Sequence, residues 1–463
     1  MSGAIPETEP EAGADGVDAA ALPLTAGQES LWFLHCLAPA SPAYNVVAGL
    51  AVRGVLDTGA LERAVAAVAD RHELMRSVFT EGAGGPVRLL APGLRPPLEI
   101  REVEGVGDER LKELARRAGQ EPFRLSEEWP FRVVLLRRAA DDAVLVVSSH
   151  HIASDATSQW LLVRDLADAY QAAVDGADRA WEAPVASYAD HVARERDRRG
   201  SPGSVRAGAY WAEVRDGAVA ATLQADRPRG GQVVARGATY QRDLGASAAL
   251  LLRSTAAEAA VSPFGLLLGA FQAAVHRGTG LDDFLIGCPA SVRFGRDKAD
   301  MVGYLVDALV LRSRFGPGTT FREAMVSAHR QLLRGMAHLR YPAAAGPAGA
   351  PPFRMAVTLV DIDRLPVPTL PGLHFTLLDL PHMEGQSDLN VELRSGGAGL
   401  TIVLRYATDL FDEATIARFA GIYLRLIEAA VENPDAVVAA VPLVESAQYA
   451  DLLSLGVGGD DDW

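Results

Sequence analysis

The sequence predicts an α/β protein, of the α+β type, made of two halves of similar size. Three observations carry that expectation. Short runs rich in apolar and β-branched residues alternate with helix-length segments whose apolar positions recur every three or four residues, from about residue 22 to residue 431. A composition rich in Arg, Gly, Ser and Pro around residues 197–206 and 226–235 separates two such series and places the hand-over between 180 and 236. The chain of 463 residues holds roughly two to four domains, and ample core, at ~100–200 residues per domain.

The elements follow in order. Residues 1–21 carry Glu7, Glu9, Glu11, Asp15 and Asp18 with no Lys, Arg or apolar block, which is neither a signal peptide nor a basic transit sequence, and they are expected to be a disordered acidic leader. Leu24–Leu37 reads as a helix capped by Thr25, and Val46–Val52 as a strand. Leu61, Val65, Val68 and Leu74 mark a helix running to about His72 with Asp57 or Thr58 as its cap. Phe131–Arg138 and Ala143–Ser149, parted by Asp141 and Asp142, read as a hairpin whose second strand is fully buried and ends at His150 and His151. Thr157 or Ser158 then caps a helix bearing Trp160, Leu161, Val163, Leu166 and Tyr170. The second half is expected to hold helices over 263–276, 321–336 and 412–431 and strands over 284–289, 304–311, 353–360, 389–394 and 400–405, with Tyr341–Pro352 as a mobile loop. The halves are placed at 22–190 and 191–450, followed by a flexible tail over 451–463.

Composition excludes several function classes. With 44 basic against 59 acidic residues the net charge is −15, which disfavours a nucleic-acid partner. No run of ~18 apolar residues suggests a membrane span. Lys112 and Lys298 are the only lysines, so no Walker-type phosphate loop exists and Schiff-base chemistry has two candidates at most. Two cysteines, Cys36 and Cys288, make neither a disulfide framework nor a thiolate metal cage; Cys36 is expected to be a buried structural thiol, and a reducing, cytoplasmic setting fits.

The chemistry concentrates in V-V-S-S-H-H-I-A-S-D-A, Val146–Ala156, where adjacent histidines and a carboxylate stand at the exposed end of a buried strand. On a strand His150 and His151 point to opposite faces, so one can look into a cleft while the other packs internally. An imidazole with an ordinary pKa of ~6.5 suits general-base work at neutral pH, and Asp155 is near enough to orient the loop. A buried structural histidine pair, a metal site using His151 and Asp155, and a serine or cysteine nucleophile assisted by one histidine all compete with that reading. Neither G-x-S-x-G nor H-E-x-x-H occurs.

These residues resemble the H-H-x-x-x-D-G signature of nonribosomal peptide synthetase condensation domains, in the superfamily of chloramphenicol-acetyltransferase-like acyltransferases. His150, His151 and Asp155 match it, with Ala156 where glycine is usual. The likeness continues from Leu22 to Val444: L-T-A-G-Q-E-S-L-W-F-L with Gln28 and Trp32 kept and Ser30 for arginine, Tyr44 and Asn45, R-H-E-L-M-R-S-V-F from Arg71, and E-P-F-R-L from Glu121 with Arg124 for the acid. S-Y-A-D-H from Ser187, A-Y-W from Ala209 and D-R-P-R from Asp226 follow, then I-G-C-P-A-S-V-R from Ile286, V-G-Y-L-V-D-A-L-V-L-R from Val302 with Asp307 for asparagine, and R-Y-A-T-D-L-F from Arg405. H-L-R-Y-P-A from His338 departs from the family's Q-D-x-P-F-E region.

The resemblance implies two chloramphenicol-acetyltransferase-like subdomains, each a mixed sheet with flanking helices, arranged in a V around a central tunnel. It implies that His151 faces the tunnel as catalytic base or as the holder of the nucleophile, that His150 is structural, and that Asp155 pairs with Arg293 from the other half. Asp307 would either place an acid near the site or be a simple strand-end replacement, and Ala156 would either narrow the donor path by a methyl or be a harmless substitution. The implied activity is that of an acyltransferase moving an acyl or aminoacyl group from the phosphopantetheine thioester of a peptidyl or acyl carrier protein, met in trans, to a small-molecule or carrier-bound amine or alcohol in bacterial secondary metabolism. No cofactor of its own and no metal is expected. The length leaves no room for a carrier domain, so a free-standing protein is expected, and a monomer because the two halves already form the active-site cleft; with carriers usually acidic its docking would use an arginine-rich patch or apolar contacts. A non-catalytic docking module and an acyltransferase using coenzyme A thioesters are the alternatives.

Overall fold

A computed structural model of the chain describes residues 21–90, 98–177, 181, 184–230, 235–339, 352–365, 367–380, 384–385, 387–396 and 399–443. The expected leader apart from Ala21, the expected loop Tyr341–Pro352 apart from Pro352, and the expected tail lie outside the described residues.

The first half runs β1 (Ala21–Pro23), α1 (Ala26–Leu37), β2 (Asn45–Arg53), α2 (Thr58–Arg71), β3 (Ser77–Gly82), β4 (Gly85–Leu90), β5 (Leu98–Glu102), α3 (Asp108–Gly119), β6 (Phe131–Ala139), β7 (Asp142–His150) and α4 (Ala156–Val174). Strands β6 and β7 form the expected hairpin, and β7 lies centrally between β6 and β2. Side chains alternate across a strand. Val133, Leu135, Leu145 and Val147 therefore pack with α2 and α4, while Val134, Leu136, Val144 and Val146 pack with α3. Burial on both faces explains the continuous apolar run of β7.

Two helices follow where the composition had suggested a hand-over. In α5 (Tyr188–Arg198), Tyr188 and Val192 join the first core; in α6 (Pro202–Arg215), Ala207 and Trp211 join a second. That second core is built by β8 (Val219–Ala220), β9 (Ala235–Asp243), α7 (Gly245–Glu258), α8 (Pro263–Thr279), β10 (Asp283–Ser291), β11 (Val306–Arg314), α9 (Phe321–His338) and β12 (Met355–Asp361). The chain then forms β13 (Thr369–Leu370), β14 (Leu373–Leu378), β15 (Glu384–Gly385), β16 (Leu389–Gly396), β17 (Gly399–Ala407) and α10 (Glu413–Glu432). Its sheet is eight-stranded and mixed, with β12 parallel to both β10 and β16.

Helix α8 starts on Ser262, whose hydroxyl accepts from the Gly265 N–H, has Pro263 in its first turn, and stops at Gly280 in the left-handed region (φ 73°). Buried on every side from Gly265 to Val275, it is the centre of this half, with Phe271 edge-on to Phe419 and Tyr423 of α10. No single described helix is long and apolar enough to cross a membrane; α7 and α8 together are, but they are bent by 96°.

No element is expected between 361 and 388, and there the halves interlock. β14 leaves the second half and pairs antiparallel with β2, so the first sheet is six-stranded in the order β13-β14-β2-β7-β6-β5, with Phe375 in the first core. Two other expectations need correction. The cap of α4 is Asp155, whose carboxylate accepts from the Ser158 N–H at 2.6 Å, rather than Thr157 or Ser158. Cys36 is exposed, because α1 turns Leu31 and Trp32 inward and leaves Phe33, Cys36 and Leu37 on its outer side.

Helices α8 and α9 cross so closely that a Cβ on Gly269 would lie 2.8 Å from the backbone of Met325. Gly269→Ala should therefore lower stability by about 1–3 kcal/mol through overpacking. Gly208→Ala, on α6 with nothing within 4 Å, should be neutral or slightly stabilising. Thermal unfolding of both variants checks the contrast.

Candidate active site

The site begins where β7 runs out of partners. Asn45 of β2 stands opposite His150, and the His151 N–H donates to the Tyr44 carbonyl at 2.7 Å as the last such bond before the chain turns. The Ala153 N–H then donates back to the His150 carbonyl at 2.9 Å and closes that turn. Gln28 of α1 pins the loop from the side: its Nε2 donates to the Ile152 carbonyl at 2.7 Å, while its Oε1 accepts from the Thr25 N–H at 3.2 Å and completes the α1 capping box.

The alternation of a strand end separates the two imidazoles. His150 is 2% exposed, and its Nδ1 accepts from the Ile152 N–H at 3.1 Å, so its ring proton sits on Nε2. The rings of His35 and Phe123 meet it edge-on. Burial, reinforced by His35 and His151, holds its pKa well below the usual histidine value, and it stays neutral. His151 keeps partial exposure, and its Nδ1 lies 3.0 Å from the Ser154 carbonyl. A carbonyl only accepts, so Nδ1 donates and the lone pair is on Nε2. Burial pulls its pKa below 6.5, against the opposing pull of the Ser154 carbonyl and the Asp155 charge.

Asp155 is 1% exposed and spends both oxygens on the protein. Oδ1 accepts from the Ser158 N–H and from Arg293 Nη2 at 2.9 Å; Oδ2 accepts from the Leu305 N–H at 3.0 Å. Arg293 reaches it from the loop after β10, and its other nitrogen, Nη1, donates to the carbonyls of Lys298 at 3.0 Å and Met301 at 2.5 Å. Ser158 completes the knot: its hydroxyl accepts from Arg293 at 2.6 Å and from the Gly303 N–H, and donates to the Gly303 carbonyl. The backbone of 303–305 is thereby tied to the head of α4.

His151, Asp155 and Arg293 thus meet in one place, with His150 behind them. Ala156 opens α4 with its side chain exposed and with an ordinary backbone, and Asp307 lies on β11 opposite Ala290 with Oδ1 accepting from the Ala308 N–H at 2.8 Å. Sequence reasoning missed Tyr304, whose ring meets His151 edge-on with centroids 5.8 Å apart, and Ser158 as the hub of the knot. Nothing in the spacing of V-G-Y-L-V-D marks Tyr304. Cys288 is buried in the second core with its thiol pushed up to about 12, which makes it a poor nucleophile. Among the described residues no group of three His, Cys, Asp or Glu side chains is placed to hold a metal ion.

Comparison with known proteins gives a consistent picture. Residues 19–345 and 368–453 match the family model of the condensation domain. The chain is 31% identical over 453 residues, 94% of its length, to a probable non-canonical nonribosomal peptide synthetase, CymA, of Salinispora arenicola. It spans only 6–9% of the length of this and the next curated relatives. Among solved structures, the X-domain from teicoplanin biosynthesis superposes with a TM-score of 0.83 at 24% identity, covering 93% of this chain and 99% of that one. The first condensation domain of the calcium-dependent antibiotic synthetase does so with 0.76 at 21%, covering 92% and 99%. At these identities the superpositions speak for the chloramphenicol-acetyltransferase-like fold alone.

The Asp155–Arg293 pair is buried on both sides, with side chains 1% and 9% exposed. Arg293→Met should cost about 3–5 kcal/mol by stranding the carboxylate, and Asp155→Asn combined with it should recover a large part. A double-mutant cycle by chemical denaturation measures the coupling.

Proposed function

We propose that this chain, which belongs to the condensation-domain family, joins an acyl or aminoacyl group held as a phosphopantetheine thioester on a partner carrier protein to an amine or hydroxyl acceptor, with His151 as the base. Condensation-type acyl transfer in secondary metabolism is the chemistry of that family. The observation that carries the finer reading is the bond from His151 Nδ1 to the Ser154 carbonyl, which presents a neutral, lone-pair-bearing Nε2.

The proposed reaction runs in two steps. The acceptor nitrogen or oxygen attacks the thioester carbonyl carbon as its proton passes to Nε2 of His151, giving a tetrahedral intermediate beside an imidazolium. The C–S bond then breaks, the carbonyl re-forms as amide or ester, and the proton moves from Nε2 to the departing sulfur. Asp155 and Arg293 act at a distance: they hold the loop so that the imidazole stays aimed. The lowered pKa of His151 keeps it deprotonated at neutral pH, which a base requires.

His151→Ala should lower kcat by about 10²- to 10⁴-fold with a loaded carrier as donor. In the wild type, activity should fall with acid along a limb whose midpoint lies below 6.5, because the neutral imidazole is the active form and its pKa is depressed. Full activity in the alanine variant would sink the assignment. A chain that binds carriers or other enzymes yet gives no product from any donor would be a recruitment module. Equal rates with coenzyme A donors would remove the carrier.

A carrier must reach the site over a surface near it. Helix α1 presents Phe33 and Leu37, 54% and 50% exposed, one turn apart, while His35 between them touches His150. With net charge −15 on the chain, apolar contact is the better means of holding an acidic carrier. Phe33→Glu and Leu37→Glu should each raise KM for the carrier-bound substrate about tenfold more than for the same acyl group on free pantetheine, read by steady-state kinetics.

A further inference from the structure

We propose that Tyr304 is a positioning residue for His151: it comes from the other half of the molecule and braces the imidazole against its Ser154 anchor. The inference rests on the reading of His151 as the acting base. Four observations carry it.

The first is the rigidity of the segment that delivers the ring. Gly303 exchanges two hydrogen bonds with Ser158, the Tyr304 carbonyl accepts from the Tyr188 hydroxyl at 3.1 Å, and the Leu305 N–H donates to Asp155. Three consecutive residues of the second half are therefore held by the first, and Tyr304 has no backbone freedom with which to withdraw.

The second is the space it fills. Its ring meets His151 edge-on, at an interplanar angle of 87°. On its other side it occupies a notch in α1 that exists because residue 27 is glycine: a Cβ there would sit 2.6 Å from Tyr304 Cε1 and 3.0 Å from Cδ1. The ring is wedged between α1 and the imidazole.

The third is the direction of the wedge. His151 is tied to its own loop by the hydrogen bond at Nδ1. A perpendicular aromatic neighbour adds a second restraint from another direction. The fourth is the state of the phenol. Burial, with Asp307, Tyr44 and Asp155 nearby, raises its pKa further above the ordinary range, so it remains a neutral O–H and does not act as a second acid or base at working pH.

The groups that bear on the His151 titration come from every element around it. They are His150 of β7 with His35 of α1 behind it, Tyr44 before β2, Asp155 at the head of α4, and Tyr304 and Asp307 from the 301–307 segment. Arg293, paired with Asp155, completes the set. All of these except the tyrosine ring remain in a Tyr304→Ala variant, so a change in the titration reads the ring itself.

The test is histidine NMR titration of the full chain, with the His151 signal identified by its loss in His151→Asn, set beside steady-state kinetics. Tyr304→Ala should move the His151 midpoint upward toward 6.5 and shift the acid limb of kcat with it, with kcat about tenfold or more lower and KM altered less. Tyr304→Phe, which keeps the ring, should restore both. Gly27→Ala, which changes neither residue but presses its new methyl on the Tyr304 ring, should push the ring and disturb the His151 titration only while Tyr304 is present; it keeps the test open should Tyr304→Ala not fold. An unchanged His151 midpoint in Tyr304→Ala and in Gly27→Ala overturns the proposal, and so does a Tyr304→Phe variant as impaired as the alanine one. The NMR readout needs no substrate, so a failure of Tyr304 to govern His151 is distinguishable from a failure of His151 to act as base.

Discussion

The ion pair between Asp155 and Arg293 is the constraint on which the site depends. Asp155 ends the loop that carries the histidines, begins α4, and receives the arginine and the Leu305 N–H from the other half. One carboxylate thus sets a helix start, a loop geometry and a contact between halves. A buried ion pair is poor evidence for stability, since desolvating two charges costs several kcal/mol per ion. Its effect here is directional. Each carboxylate oxygen has a donor, and the guanidinium makes four hydrogen bonds, two to the carbonyls of Lys298 and Met301 and two across to Asp155 and Ser158. Displacing either half would leave charge buried without a partner, and that penalty holds the two in register.

Electrostatics of the histidine pair follow from the same loop. His150 faces inward and is desolvated into neutrality, with a backbone N–H taking its lone pair. His151 faces outward, keeps part of its exposure and has its donor nitrogen occupied by a carbonyl. Two adjacent residues of one type become an anchor and an acceptor because a strand end turns one inside and one outside. Asp155 sits close enough to His151 to oppose the loss of its charge, which moderates the shift that burial imposes. In the proposed reaction, a base that is neutral yet can still be protonated needs both influences.

The interlock of the halves is broader than the site. Strand β14 extends the first sheet from the second half, the 301–305 segment packs Met301, Val302 and Leu305 into the first core, and α1 leans on both through Gln28 and the Gly27 notch. The outer face of α1, where Phe33 and Leu37 stand, is therefore rigidly linked to the imidazoles through His35. A partner that binds there would meet a surface whose distance from the site is fixed by helix geometry rather than by loops.

Much of this was legible in the residues. Period-two and period-3.6 patterns in long apolar segments located β2, β6, β7, α2, α4, α8, α9 and α10, since a core face imposes its spacing on the chain, and the Thr25 and Asp57 caps could be read because capping chemistry is local. The charged helix α3, the short strands β3–β5 and β13–β15, and α5 and α6 escaped: their apolar faces are small or their composition resembles linker, and they form because a core already exists to receive them. By itself the sequence determined the α/β class, the two series of elements and the His150–His151–Asp155 cluster, all properties of periodicity and of neighbouring residues. Only the tertiary structure decided that Asp155 caps its own helix, that Cys36 faces outward, that β14 crosses to the first sheet, and that Tyr304 stands against His151. Those outcomes depend on residues far apart in the chain competing for the same space and the same hydrogen-bond donors, and no local pattern encodes the result of that competition.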